Sequence, residues 1–127
     1  MTTTKPEGYQ TGLGELIRAH RLYIGLSQRA MADRLGKDRR DYQRIENGRD
    51  ACPPGLMSKV EALSDLFCHQ VDLIIEEAEQ RKGLSLAVSN DPAAEWDRLV
   101  AGRAAVETSE DAPISLTMSG KSLPRSA

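Results

Sequence analysis

The 127-residue sequence predicts a mainly α-helical fold, with five short amphipathic helices over residues 13–82 and a small strand-helix-strand module over residues 83–119. Three observations lead to this prediction. Apolar residues recur at helix spacing through the first segment, glycines and capping side chains divide it, and a strict alternation of apolar and small residues begins after Gly83. The outer residues, 1–12 and 120–127, are polar, so we expect a disordered lead and a flexible tail there.

Glycines and capping side chains set the bounds of the first three helices. Gly25, Gly36 and Gly48 each stand where a helix is expected to end. Ser27 and Asp38 have the side chains of typical N-caps, so the second and third helices begin immediately after them. The first three helices are therefore predicted to have two to three turns each and to be joined by short loops.

Two further helices are predicted downstream from the same periodicity. Leu56, Val60, Leu63 and Phe67 form the apolar stripe of a fourth helix. A fifth, over about residues 68–82, repeats the stripe and carries acidic residues on its other face. Five such helices can enclose one modest core.

The strand-helix-strand module is small for an independent unit. Two strands and one helix are marginally stable, and open strand edges invite pairing with another chain. We therefore expect a homodimer that completes a sheet across a two-fold axis. Trp96, the only tryptophan, suits that contact and the core of one protomer equally well. The predicted dimerisation residues are Leu84, Leu86, Trp96, Leu99, Val100, Ile114 and Leu116.

Charge is distributed unevenly along the chain. The formal net charge is −2, but residues 18–49 contain nine basic and four acidic residues, a net of +5. Residues 50–127 contain seven basic and thirteen acidic residues, a net of −6, and the first seventeen residues carry −1. This segregation predicts a local electropositive face, which suits a nucleic-acid partner.

Composition argues against several classes of protein. No apolar run reaches the length of a membrane span, and the first ten residues lack a signal-peptide core, so we expect a cytoplasmic protein with no membrane partner. The two cysteines and two histidines lack the spacing of metal ligands. No nucleophile, base and orienting group converge, and no glycine-rich phosphate loop is present. We therefore expect no catalytic residues, no metal and no cofactor, and predict that the protein is not an enzyme.

One set of residues carries most of the functional information. It comprises Gly-Leu-Ser-Gln at residues 25–28, Ala32, Gly36, and Glu-Asn-Gly at residues 46–48. This set, at unbroken spacing, resembles the lambda-repressor/Cro-like helix-turn-helix family, also called the xenobiotic-response-element type, over about residues 13–67. The resemblance implies a lambda-repressor-like fold for the five-helix segment.

The resemblance also implies roles for individual residues. Residues 13–82 would form a double-stranded DNA-binding domain whose third helix enters the major groove, where arginine can bond guanine O6 and N7. It further implies a structural ion pair between Arg21 and Glu46. The expected base-reading residues are Arg39, Arg40, Gln43 and Arg44. The expected contacts to the DNA backbone are Gln28, Lys37, Asn47 and Arg49.

Two positions depart from the family pattern. His20 occupies a site usually filled by an aliphatic residue, and Tyr42 a site usually filled by a smaller apolar one. We expect Tyr42 in the core with its hydroxyl reaching the surface. His20 is expected to be hydrogen-bonded and partly buried.

These features predict a homodimeric transcriptional repressor of a phage or bacterial operon, with its own operon as one candidate. A dimer would place two recognition helices about 34 Å apart and would bind an inverted-repeat operator. The layout also has a looser resemblance to phage anti-CRISPR-associated regulators. Two alternatives remain: an antitoxin-type regulator that also binds a toxin, and a helix-turn-helix fold reused to bind a host protein. Salt-dependent DNA affinity would argue against the second.

Overall fold

A computed structural model of the chain describes residues 8–119. These residues form five α-helices and a two-stranded sheet, so the fold is mainly helical. The tail predicted over residues 120–127 and residues 1–7 of the predicted lead lie outside the described residues. The elements are α1 (Gly14–Ile24), α2 (Gln28–Leu35), α3 (Arg39–Glu46), α4 (Leu56–Arg81), β1 (Leu84–Val88), a 3₁₀ turn (Pro92–Ala94), α5 (Glu95–Glu107) and β2 (Ile114–Met118).

The chain divides into two compact units, with the boundary between Asp65 and Leu66 in α4. The first unit contains α1, α2, α3 and the start of α4. The second contains the remainder of α4, both strands and α5. Each unit has buried apolar residues of its own.

The helices α2 and α3 begin at the capping residues that the sequence indicates. Ser27 Oγ accepts the N–H of Ala30 at 3.1 Å, and Asp38 Oδ2 accepts the N–H of Arg40 at 3.0 Å. Each cap satisfies a backbone donor that the first helical turn leaves without a partner. Gly36 has a φ of +69°, a left-handed conformation that lets the chain turn from α2 into α3.

The core of the first unit draws on all four of its helices. Its side chains interlock from different elements, so the short helices are stabilised by packing more than by their own propensity. The members of this core include Ile17, Ile24, Met31, Ala32, Leu35, Tyr42, Ile45, Leu56 and Val60.

The backbones of α1 and α3 approach closely at Gly14. A Cβ atom at this position would lie 2.5 Å from the carbonyl oxygen of Glu46 and 2.6 Å from that of Ile45. Real Cβ contacts are not this short, and the opposing atoms are backbone, which cannot move aside as a flexible side chain does. Glycine is therefore required at the start of α1.

Part of the predicted disordered lead is ordered. The N–H of Gln10 donates to the carbonyl of Cys52 at 3.0 Å, and the N–H of Cys52 donates to the carbonyl of Gln10 at 2.7 Å. This isolated antiparallel bridge ties the segment before α1 to the loop after α3. The prediction of disorder as far as Gly12 does not hold at Gln10, because its bridge partner, Cys52, lies far along the sequence.

The predicted fourth and fifth helices are one continuous helix, the 26-residue α4. The predicted break between Phe67 and Cys68 was therefore wrong, and residues 13–82 contain four helices. No glycine, proline or capping residue stands at that point, so nothing interrupts the helical hydrogen bonds.

The second unit holds a parallel strand pair. Leu84 lies opposite Ile114 and Val88 lies opposite Met118, so β1 and β2 pair within the chain. α5 connects the strands and contacts both of them, as expected for a crossover helix. The two-stranded sheet leaves one edge of each strand without a strand partner among the described residues.

Trp96 belongs to the core of the second unit. Only 6 % of its surface is exposed, and its ring meets that of Phe67 edge to face, with 5.6 Å between centroids and an interplanar angle of 85°. Its Nε1–H donates to Oε1 of Gln70 at 2.6 Å. Of the two roles open to this tryptophan, the structure places it in the core of its own chain.

The close approach at Gly14 predicts a large difference between two glycine-to-alanine substitutions. Gly14→Ala should lower the free energy of unfolding by roughly 1–3 kcal/mol, the usual range for overpacking. Gly102, in α5, has open space around its Cβ position, so Gly102→Ala should raise the free energy by about 0.5–1 kcal/mol through helix propensity. Urea unfolding midpoints measure both. Equal effects of the two substitutions on the free energy of unfolding would contradict the backbone clash at Gly14.

Candidate nucleic-acid interface

Helix α3 has one buried and one exposed face. Tyr42, Ile45 and Glu46 are buried against the first unit. The side chains on the opposite face are mostly basic and reach solvent, and the residues following the helix extend this exposed surface. Its exposed members are Arg39, Arg40, Arg44, Asn47 and Arg49, with Gln43 half-buried beside them. The structure thus brings most of the predicted DNA-contacting residues to one surface.

The buried carboxylate of Glu46 joins three helices. Arg21 of α1 donates from Nε to Oε2 at 2.9 Å and from Nη2 to Oε1 at 3.0 Å. Gln28 of α2 donates from Nε2 to Oε1 at 2.9 Å. The hydroxyl of Tyr42 donates to Oε2 at 2.5 Å. Four donors therefore satisfy one carboxylate whose side chain is only 2 % exposed.

Opposing effects act on the ionisation of this carboxylate. Burial disfavours the charged form of Glu46, but the hydrogen bonds from Arg21, Tyr42 and Gln28 outweigh burial and lower its pKa. The hydrogen bond to Glu46 raises the pKa of Arg21. Burial and the neighbouring carboxylate raise the pKa of Tyr42. Glu46 and Arg21 are therefore an ionised pair and Tyr42 a neutral donor at neutral pH.

The carboxylate also orients two glutamines. Because an ionised carboxylate can only accept, Gln28 must turn its amide nitrogen towards Glu46. Its Oε1 then accepts from Nε2 of Gln43 at 2.8 Å. This chain of hydrogen bonds runs from the core to the half-buried edge of α3 and fixes which end of the Gln43 amide faces α2.

Tyr42 differs from its prediction. Its side chain is buried as expected, but the hydroxyl points to Glu46 in the interior and not to the surface. A phenol hydroxyl one helical turn before a carboxylate can reach it, because residues four apart lie on the same helix face. His20 is half-buried, and its Nδ1 lies 2.6 Å from Oγ of Ser64, in agreement with the expected hydrogen-bonded histidine.

The remaining predicted residues lie around α3 at different depths. Lys37, in the turn before α3, is half-buried. Arg44 forms an ion pair with Asp50, with Nε 3.1 Å from Oδ2, and both side chains remain largely exposed. The sequence analysis did not predict this ion pair. Its only local signal is an acidic residue soon after the end of α3.

Other kinds of site receive no support in the described residues. Within residues 8–119, histidine, cysteine, aspartate and glutamate form no group of three or more that could hold a metal ion. None of the helices in this range combines the length and apolar character needed to cross a membrane.

Comparison with known proteins supports a specific kind of domain. Residues 12–74 match the model of a protein family described as a helix-turn-helix domain. This segment includes α1, α2, α3 and most of α4. A search of curated proteins found no match to the chain. The match therefore supports assignment of this segment to a helix-turn-helix family, which suggests a DNA-binding regulator.

The buried carboxylate predicts a strong contrast between two glutamate-to-glutamine substitutions. Glu46→Gln should lower the free energy of unfolding by roughly 3–5 kcal/mol, because it leaves the guanidinium of Arg21 buried without its counter-charge. Glu15 pairs with Arg18 on the exposed side of α1, so Glu15→Gln should cost less than about 1 kcal/mol. Equilibrium unfolding in urea at pH 7 measures the contrast. Similar losses in the free energy of unfolding for the two variants would show that Glu46 stabilises the protein no more than an exposed carboxylate does.

The lowered pKa of Glu46 predicts how this contrast depends on pH. The stabilisation from a carboxylate whose pKa is lowered by folding is present above its unfolded value, about 4.3, and is lost as pH falls through the folded value. The stability difference between wild type and Glu46→Gln should therefore shrink below about pH 4. Unfolding curves between pH 7 and pH 3 measure this stability difference. A difference that stays constant over that range would contradict the lowered pKa of Glu46.

Proposed function

We propose that this chain, whose residues 12–74 match a helix-turn-helix domain, is a sequence-specific regulator of transcription that inserts α3 into the major groove of double-stranded DNA. The observation that carries the proposal is the division of α3 into a braced, buried face and an exposed basic face. An α-helix fits the major groove, where the edges of the four base pairs differ.

The proposed base-reading residues are the exposed side chains of α3. Arg39, Arg40 and Arg44 can each present two donors to O6 and N7 of guanine. Gln43 can use the amide oxygen that does not face α2, together with its second N–H, to bond adenine. Its hydrogen bond to Gln28 would hold that amide in place before DNA arrives.

We propose contacts to the DNA backbone from the residues that surround α3. Such contacts position a protein on DNA and supply most of the salt-dependent affinity. The net charge of +5 over residues 18–49 favours approach to the phosphates at this surface. The proposed contacts are Gln28, Lys37, Asn47 and Arg49.

We further propose that the regulator is a Cro-like homodimer that represses a phage or bacterial operon through an inverted-repeat operator. The strand edges of the small sheet support dimerisation through the second unit, because a two-stranded sheet gains from added strands. Of the predicted dimerisation residues, Trp96, Val100 and Ile114 are buried within the chain, whereas Leu116 is 39 % exposed. Leu116 is therefore our preferred contact.

Arginine substitutions test base reading. Arg44→Ala should weaken binding to an operator selected from random DNA by about 1–3 kcal/mol and relax the base preference at one position. Arg18 lies on α1 in an exposed ion pair, so Arg18→Ala removes the same charge away from α3 and should retain the preference. Binding titrations on the selected operator and its single-base variants report both effects. Equal preference in Arg44→Ala and wild type would contradict the proposal.

A charge placed on Leu116 tests dimerisation. We expect a dimer for the wild type and a shift to monomer for Leu116→Glu, because a carboxylate would be buried at the proposed contact. Ser115 is exposed on the opposite face of β2, so Ser115→Glu adds the same charge there and should leave the dimer intact. Sedimentation equilibrium reports the masses. A monomeric wild type at micromolar concentration would refute this dimer.

A further inference from the structure

The loop after α3 carries an acidic residue into the basic surface. Asp50 follows the exposed residues Asn47, Gly48 and Arg49, and its carboxylate folds back onto the helix and accepts the Nε–H of Arg44 at 3.1 Å. An exposed ion pair of this kind contributes little to stability, about 0–1 kcal/mol. The pair therefore bears on the orientation of the Arg44 side chain more than on stability.

The position of Asp50 is fixed by the backbone. The carbonyl of Arg44 accepts the N–H of Arg49 at 2.8 Å and that of Asp50 at 3.1 Å. Gly48 makes this return possible with a φ of +84°. The residue that supplies the carboxylate is thus anchored to the backbone of the arginine that it contacts, so the two side chains meet without the ordering of a long flexible loop.

The contact determines which part of the guanidinium remains available. Arginine has five N–H donors in a planar fork, one on Nε and two on each terminal nitrogen. With Nε bonded to Asp50, the edge of the Arg44 guanidinium whose two nitrogens both remain available is the pair Nη1 and Nη2. That edge presents two parallel donors, the arrangement that matches O6 and N7 of guanine.

We propose that Asp50 is a positioning residue for base recognition, which aims the Nη1 and Nη2 edge of Arg44 at a guanine by accepting the Nε–H. This inference depends on the proposed function of α3. Asp50 contacts no base itself. Its carboxylate also disfavours loose phosphate contacts by Arg44, because it already supplies that guanidinium with a counter-charge.

The test measures base preference and not affinity alone. Wild type, Asp50→Ala, Arg44→Ala and the double variant are titrated against the selected operator and against a copy in which the guanine that depends on Arg44 is replaced. The ratio of the two affinities is taken within each protein preparation, so a difference in the folded fraction cancels. Glu61→Ala is the charge-matched control, since it removes an exposed carboxylate of α4 and leaves α3 unchanged.

The proposal predicts a specific pattern. Asp50→Ala should lower the guanine preference by roughly 2- to 10-fold, the worth of one hydrogen bond, and should raise affinity for unrelated DNA. In the Arg44→Ala background, Asp50→Ala should leave the guanine preference unchanged, and Glu61→Ala should not change it in the wild-type background. An unchanged preference in Asp50→Ala, or an equal loss with and without Arg44, overturns the positioning role while leaving DNA binding intact. Wild-type binding without any base preference refutes the proposed function itself.

Discussion

The first unit depends on one buried carboxylate. Glu46 is the last residue of α3, and it accepts hydrogen bonds from α1 through Arg21, from α2 through Gln28, and from its own helix through Tyr42. Short helices have little stability alone, so their mutual orientation must come from packing and from contacts of this kind. An ionised acceptor with four donors fixes the orientation of three helices at once. An apolar contact in the same place is not directional and would allow the helices to slide against one another.

The same carboxylate links the core to the exposed surface of α3. Its inability to donate sets the orientation of Gln28, and Gln28 in turn sets that of Gln43. At the other end of the surface, the chain turns at Gly48 and brings Asp50 back to Arg44. The basic face is therefore held by contacts at both edges, which lowers the entropy that ordering long side chains would otherwise cost on binding.

The features predicted correctly from sequence are those set by local chemistry. Ser27 and Asp38 cap helices because their oxygens reach donors two or three residues later, and Gly36 turns the chain because it tolerates positive φ. Some of the features missed depend on distant partners, whereas the continuity of α4 and the ion pair of Arg44 with Asp50 are local. The bridge between Gln10 and Cys52 requires knowledge of the folded chain, as does the clash that excludes a side chain at Gly14. The pattern likewise indicated both strands of the second unit but not that they pair with each other.

The parallel pairing of β1 and β2 also affects the order of events during synthesis. Leu84 pairs with Ile114, which is 30 positions later. At about 5–20 residues per second, roughly 2–6 s separate the appearance of the two strands on a ribosome. During that interval β1 has no strand to pair with, and only after β2 emerges can the crossover close. The second unit can therefore complete its fold only after β2 has emerged, and a pause in translation between the strands would prolong the exposure of an unpaired apolar segment.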